Sequence, residues 1–184
     1  GERGLAETRR ALPAQPGQPA RIDYEYQRNG TANLFVMCEP QAGWRHLVVT
    51  ERRTKHDFAH QMQWLVDEYY PAAEVIRVVL DQLNTHRPAS LYDTFPPAEA
   101  RRIRKKLEFH YTPKHGSWLN MAEIELSVLQ RQCLDRRLPD VPTLTHELDA
   151  YERRRNSQRA TIDWQFTTHD ARTKLHRLYP SLST

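Results

Sequence analysis

Two acids follow apolar runs in this chain, and their placement is the feature most open to chemistry. Val75–Leu80 (VIRVVL) reads as a continuous apolar run, expected for a strand buried on both faces, and it stops at Asp81. The second run ends at Tyr111, and a Pro-Lys-His-Gly-Ser loop leads into a helix that carries Glu123 and Glu125 in its first turns, with Ser117 as a suitable N-cap. An acid at a strand's C-terminal end and one early on a later helix can meet at a sheet's carboxyl edge, where open α/β sheets place their sites. Two such oxygen donors in one crevice suit a hard divalent cation such as magnesium.

Glu123 and Glu125 project to different sides of the helix, which turns about 100° per residue. Asn120, Glu123, Ser127 and Gln130 line up as a polar strip beside an apolar face of Leu119, Ala122, Leu126, Leu129 and Cys133. Glu125 falls on the opposite flank of that face. Periodicity alone also accommodates both as surface acids. His86, His110 and His115 lie near the expected carboxyl edge and could touch phosphate, or do nothing. His56-Asp57-Phe58-Ala59-His60 is one residue type away from H-E-x-x-H, but Asp is a methylene too short and no third ligand is singled out. The six glycines form no nucleotide-binding loop, and Ser117 has no nucleophile elbow.

Residues 1–20 hold Pro13, Pro16 and Pro19 among Gly and Gln, the composition of an extended arm. Tyr24 and Tyr26 alternate with acids, Asn29-Gly30 is a strong hairpin signal, Thr31–Cys38 is the return strand, and Trp44–Thr50 a third. Helical spacing of Phe58, Met62, Leu65, Val66 and Tyr69 predicts a helix over 55–70, ended by Pro71. After the strand ending at Asp81 come a short helix opened by Pro88, a basic helix over 98–106, a strand over 107–111 and the long helix through Leu134. Helices over 144–155 and 170–178 follow. A meander followed by α/β units reads as a mixed sheet flanked by helices.

The chain has 184 residues, enough for one domain with a real core, and a net charge of +4. The basic residues cluster in Arg101-Arg102-Ile103-Arg104-Lys105-Lys106, Arg136-Arg137, Arg153-Arg154-Arg155 and around Arg52-Arg53, which tilts toward a polyanionic partner. Cys38 and Cys133 are too few for a disulfide framework or a zinc site, so a cytoplasmic setting is expected. No stretch is apolar enough to span a membrane.

Val79-Leu80-Asp81-Gln82-Leu83-Asn84-Thr85-His86, followed by Tyr111-Thr112-Pro113-Lys114-His115-Gly116-Ser117-Trp118-Leu119-Asn120-Met121-Ala122-Glu123, resembles the catalytic half of the mariner-like bacterial insertion-sequence transposases, DDE superfamily endonucleases. The family shows Asp-Asn-x-x-x-His at its second acid, and Gln82 stands here for the Asn. Ser117, Leu119, Asn120 and Glu123 stand as Ser-x-Leu-Asn-x-x-Glu, which is similar to the Ser/Leu-Asn-x-x-Glu setting of the third. The resemblance covers about residues 24–180.

It implies a ribonuclease-H-like α/β fold and a two-metal site for Mg2+ or Mn2+, with Asp81 and Glu123 as catalytic metal ligands. It also implies double-stranded DNA as partner, self-association with transposase, and DNA cleavage and strand transfer. Lys114, His115, Trp118, Arg101, Arg102, Arg104 and Lys105 are placed as DNA contacts. No acid in residues 1–20 has the setting of the family's first catalytic Asp, and no helix-turn-helix domain precedes. The chain is therefore expected to be a C-terminal portion that lacks the fold's first, central strand and is inactive alone. The alternative is a non-catalytic remnant that binds DNA or pairs with an intact transposase. The expected layout is an arm over 1–20, the catalytic domain over 21–138 and a helical extension over 139–184.

Overall fold

The structure, a computed structural model, describes residues 2–7, 26–113, 121–165 and 167–174. Three antiparallel strands come first: β1 (Glu2–Glu7), β2 (Tyr26–Glu39) and β3 (Trp44–Thr50), in the order β1-β2-β3. Residues 2–7 are thus a paired strand rather than part of an arm. Asn29-Gly30 is not a hairpin turn either, since both residues lie inside β2. Arg3 pairs with Thr31 and Leu5 with Arg28, so Asn29 and Gly30 together face Gly4 and form a bulge. A long strand that takes one partner along 26–32 and another along 33–39 overrides the local turn preference.

Along 34–37 β2 alternates, and both faces of that stretch are covered. Phe35 and Met37 pack against a core built from Phe58, Met62, Leu65, Val66, Ile76, Leu91, Ile103 and Leu107. Leu34 and Val36 pack on the other side against Leu129, Cys133, Leu144, Leu148 and Tyr151. The first core belongs to α1 (Lys55–Trp64, continued by a π-turn through Tyr69), α2 (Ala89–Thr94) and α3 (Pro97–Lys106). The second belongs to α4 (Ala122–Leu129, continued by a π-turn through Leu134) and α5 (Val141–Ser157). A short α6 (Thr168–Lys174) follows.

Thr54 and Asp57 start α1 by a reciprocal capping box: the Thr54 hydroxyl accepts the Asp57 amide at 3.2 Å, and the Asp57 carboxylate accepts the Thr54 amide at 2.6 Å. That bond employs the acid of the His-Asp-x-x-His pattern. His56 meets Thr94, and His60 stands edge-on to Phe95. Asp140 caps α5 by accepting the Thr143 amide at 2.7 Å, with Pro142 in the first turn. α5 begins three residues before its apolar periodicity does.

β4 (Ile76–Leu80) and β5 (Leu107–Tyr111) form a separate parallel pair, joined by α2 and α3. Among the described residues no strand links this pair to the meander. β4 is not buried on both faces: Ile76 and Leu80 are buried, while Val75 and Val79 are 54% and 56% exposed. α4 and α5 pack on β2 and β3, and the side chains on one face of the β4–β5 pair are largely exposed. Arg77, Val79, Glu108 and His110 occupy that face, with Glu108 bonded to both Arg77 and His110. The whole is a mixed α/β arrangement of short sheets flanked by helices.

The outer edge of β3 is met by side chains of α5. Asn156 accepts the Arg45 amide at 2.9 Å through Oδ1 and donates to the Arg45 carbonyl at 2.8 Å through Nδ2. One turn earlier, Glu152 accepts the Leu47 amide at 2.7 Å. Gly43, at φ +67°, lets the β2–β3 turn approach the chain beyond α5. A Cβ there would lie 2.4 Å from the Arg159 backbone.

Candidate active site

Asp81 follows directly on β4, at the carboxyl end of the parallel pair. Its side chain is about half exposed, at 49%. Oδ1 accepts the Leu83 amide at 3.2 Å and lies 2.7 Å from His86 Nδ1. Gln82 donates to the Thr112 carbonyl at 3.0 Å, and the Thr112 amide donates to the Leu80 carbonyl at 2.9 Å. Tyr111 donates its hydroxyl to the His86 carbonyl at 2.8 Å. The segments that leave β4 and β5 are therefore stitched together where Asp81 stands. Gln82 takes part in that stitch.

Glu123 lies in the first turn of α4 and is exposed, as are Ser127 and Gln130 of the expected polar strip. Lys114, His115, Ser117, Trp118, Leu119 and Asn120 lie outside the described residues. The apolar face of α4 differs from the expected one. Leu126, assigned to it, is 41% exposed, whereas Glu125 is fully buried on one line with Leu129 and Cys133. A reading that sends only apolar residues inward misses this. The carboxylate is tolerated because it is met on several sides.

Arg45 Nε approaches Glu125 Oε1 at 3.1 Å, though too far out of line for a hydrogen bond. Arg45 Nη2 donates to Oε2 at 3.4 Å, and the Tyr151 hydroxyl donates to Oε1 at 2.8 Å. Arg155 stands 3.6 Å away. Arg45 also donates to the carbonyls of Gly43 and Ala160. Burial, and then the bond to Glu125, push the Tyr151 hydroxyl well above the usual phenol range. Burial first and Glu125 second raise the Cys38 thiol to about 11. Sequence did hold a signal for this knot: Arg45 shares strand parity with the inward Leu47 and Val49.

The two glutamates of α4 therefore differ in kind. Glu125 is committed to the interior, and Glu123 is available to solvent. Among the described residues no group of three or more His, Cys, Asp and Glu side chains is gathered closely enough to hold a metal ion. By donor chemistry Asp81 and Glu123 each suit a hard cation, but the described residues supply no third ligand beside either.

The basic helix α3 divides in the same way. Arg102 forks onto Asp67 at 2.7 Å through both terminal nitrogens and also binds Glu99, which drives its guanidinium still higher in pKa. Arg104 donates to the Leu107 carbonyl and lies over the Phe109 ring at 5.6 Å. Arg101 and Lys105 are exposed on this helix. Of the four α3 cations placed as DNA contacts, these two remain uncommitted within the described residues. In the third cluster Arg154 rests on Tyr151.

Residues 2–145 match a family described as DDE superfamily endonuclease, which covers most of the chain and both acids. The chain belongs to the DDE superfamily endonucleases. No curated protein and no solved structure matches it. The endonuclease match ends inside α5, whereas the buried packing continues to Tyr151. No helix among the described residues of this DDE endonuclease is long and apolar enough to cross a membrane.

Proposed function

We propose that this DDE endonuclease is the catalytic portion of a mariner-like insertion-sequence transposase, with Asp81 and Glu123 as two of its metal-binding carboxylates. The observation that carries this reading is the placement of Asp81: an acid at the carboxyl end of a parallel strand pair, with one oxygen bonded and the other without a bond to any described residue. When bound, Mg2+ or Mn2+ would supply Lewis-acid stabilisation for attack on a DNA phosphodiester. The chain's own part is to hold Asp81 at the strand end and to offer Glu123 from an exposed helix turn. Arg101 and Lys105 would meet phosphates of double-stranded DNA, joined by Lys114, His115 and Trp118. Arg102 and Arg104 would serve chiefly to brace α3.

The ribonuclease-H-like fold calls for a first strand between the meander and β4. β1 lies beside β2, on the side away from β3, and among the described residues no further strand pairs with it. We read the break between the two sheets as the place of that strand, and the third carboxylate as one supplied from outside the described residues. The isolated chain is then inactive, and works in the cytoplasm only as part of a self-associating transposase. The lack of a three-ligand group among the described residues favours, as a second reading, a DNA-binding or transposase-pairing remnant.

Nicking of supercoiled DNA in Mg2+ or Mn2+ tests both readings, with the chain alone and joined to an added N-terminal segment that supplies a strand and a third carboxylate. Nicking only in the joined form, abolished by Asp81→Asn or Glu123→Gln, supports the first. No nicking in either form, with DNA binding retained, favours the second.

A further inference from the structure

The two oxygens of Asp81 stand in unlike surroundings. Oδ1 carries both the Leu83 amide and His86 Nδ1, at 3.2 and 2.7 Å, and Oδ2 carries no bond from a described residue. A carboxylate only accepts, so Nδ1 of His86 holds a proton and donates it to the bond. The imidazole is held in turn. Its ring lies 4.9 Å from that of Phe58, which is buried at 4% exposure, and its own carbonyl takes the Tyr111 hydroxyl at 2.8 Å. His86 is largely covered, at 22% exposure, while Asp81 is open. A fixed, covered donor thus grips one oxygen of an exposed acid.

We propose that His86 is a positioning residue for Asp81, turning the carboxylate so that Oδ2 is the oxygen offered to a divalent cation. This rests on the metal-binding reading above. A free aspartate presents either oxygen and must surrender side-chain rotation when it binds a metal; one already held has less to surrender. Hydrogen-bond partners of metal ligands matter in this way, and their loss typically weakens metal affinity about 10- to 100-fold. A histidine that merely fastened the 83–86 loop would affect melting and leave metal affinity alone.

Mn2+ binding to the 184-residue chain, followed by the electron spin resonance of the free ion beside thermal melting, separates the two roles. His86→Ala should weaken Mn2+ binding about tenfold or more. His86→Asn should restore it, because the Asn amide nitrogen occupies the position of Nδ1. His86→Gln, which carries its amide where Nε2 would be, should not. Wild-type affinity in His86→Ala, or equal rescue by Gln and Asn, would overturn the positioning role. Asp81→Asn tells which idea has failed. If Asp81→Asn loses Mn2+ while His86→Ala keeps it, only the positioning role falls. If Asp81→Asn binds as the unmodified chain does, the metal reading falls and the positioning role with it; if the unmodified chain binds no Mn2+, the positioning role proposed for this chain falls, and the metal reading is decided by nicking in the joined form.

Discussion

Two carboxylate neighbourhoods face each other across this molecule's chemistry. Around Glu125 both carboxylate oxygens are committed: a fully buried acid answers Arg45, Tyr151 and Arg155, and Arg45 reaches on to the chain beyond α5. Around Asp81 only half is committed, since one oxygen is gripped and the side chain stays half open. The interior knot uses charge to join elements distant in sequence. The strand-end acid keeps charge in reserve. An acid that serves as glue must be saturated, and one that serves a ligand must not be.

That contrast breaks most visibly if the interior acid is removed. Glu125→Ala leaves Arg45 buried without its carboxylate, and loss of one partner of a buried pair costs about 3–5 kcal/mol, a large share of the roughly 5–15 kcal/mol that holds a domain together. Urea unfolding should show the loss, or no folded protein at all. A melt near wild type would mean that the knot is decorative. Asn156→Ala sharpens the same side. It frees the amide and carbonyl of Arg45 at the edge of β3, and leaving such groups unpaired costs about 1–3 kcal/mol.

Glu123→Ala should change stability by no more than about 0.5 kcal/mol, as surface replacements usually do, while removing metal-dependent nicking in the joined form. Comparable unfolding penalties at positions 123 and 125 would erase the distinction between them. The smallest effect concerns acid. The Thr143 bonds hold the Asp140 carboxyl below its usual pKa, and the Arg102 bond chiefly does the same for Glu99. A carboxyl depressed in the folded state adds stability at higher pH and loses it as pH falls through the folded value. Melting should therefore decline slightly below about pH 4, and Asp140→Asn should flatten part of that decline.

Most of the order of elements was legible because each rests on local rules. Thr54 and Pro71 bracket α1 with its π-turn, Pro88 opens α2, and a basic run makes α3. The misses share a cause, namely tertiary partners that outvote local preference. Asn29-Gly30 would turn if alone, but pairing with β1 on either side of it carries β2 through as a bulge. Leu126 would go inside if hydrophobicity decided, yet the guanidinium of Arg45 draws in Glu125. Val75 and Val79 would be covered if helices lay on both faces of β4, and α4 and α5 instead choose the meander. Asp81 and its bond to His86 sit where a strand stops, which a sequence marks well. Whether the acids of one chain converge depends on long-range placement, which it marks poorly.

The contact between Asn156 and β3 also sets a direction for growth. A β-sheet is a linear polymer of strands, and each new strand adds by matching the donor and acceptor at an open end. A side-chain amide carries the same pair, so Asn156 acts at the β3 end as a chain terminator does in polymerisation: it completes one last unit and offers no site for the next. Strand addition to the meander, by another copy or by another part of a longer protein, is thereby steered to the β1 side, the side that turns away from β3.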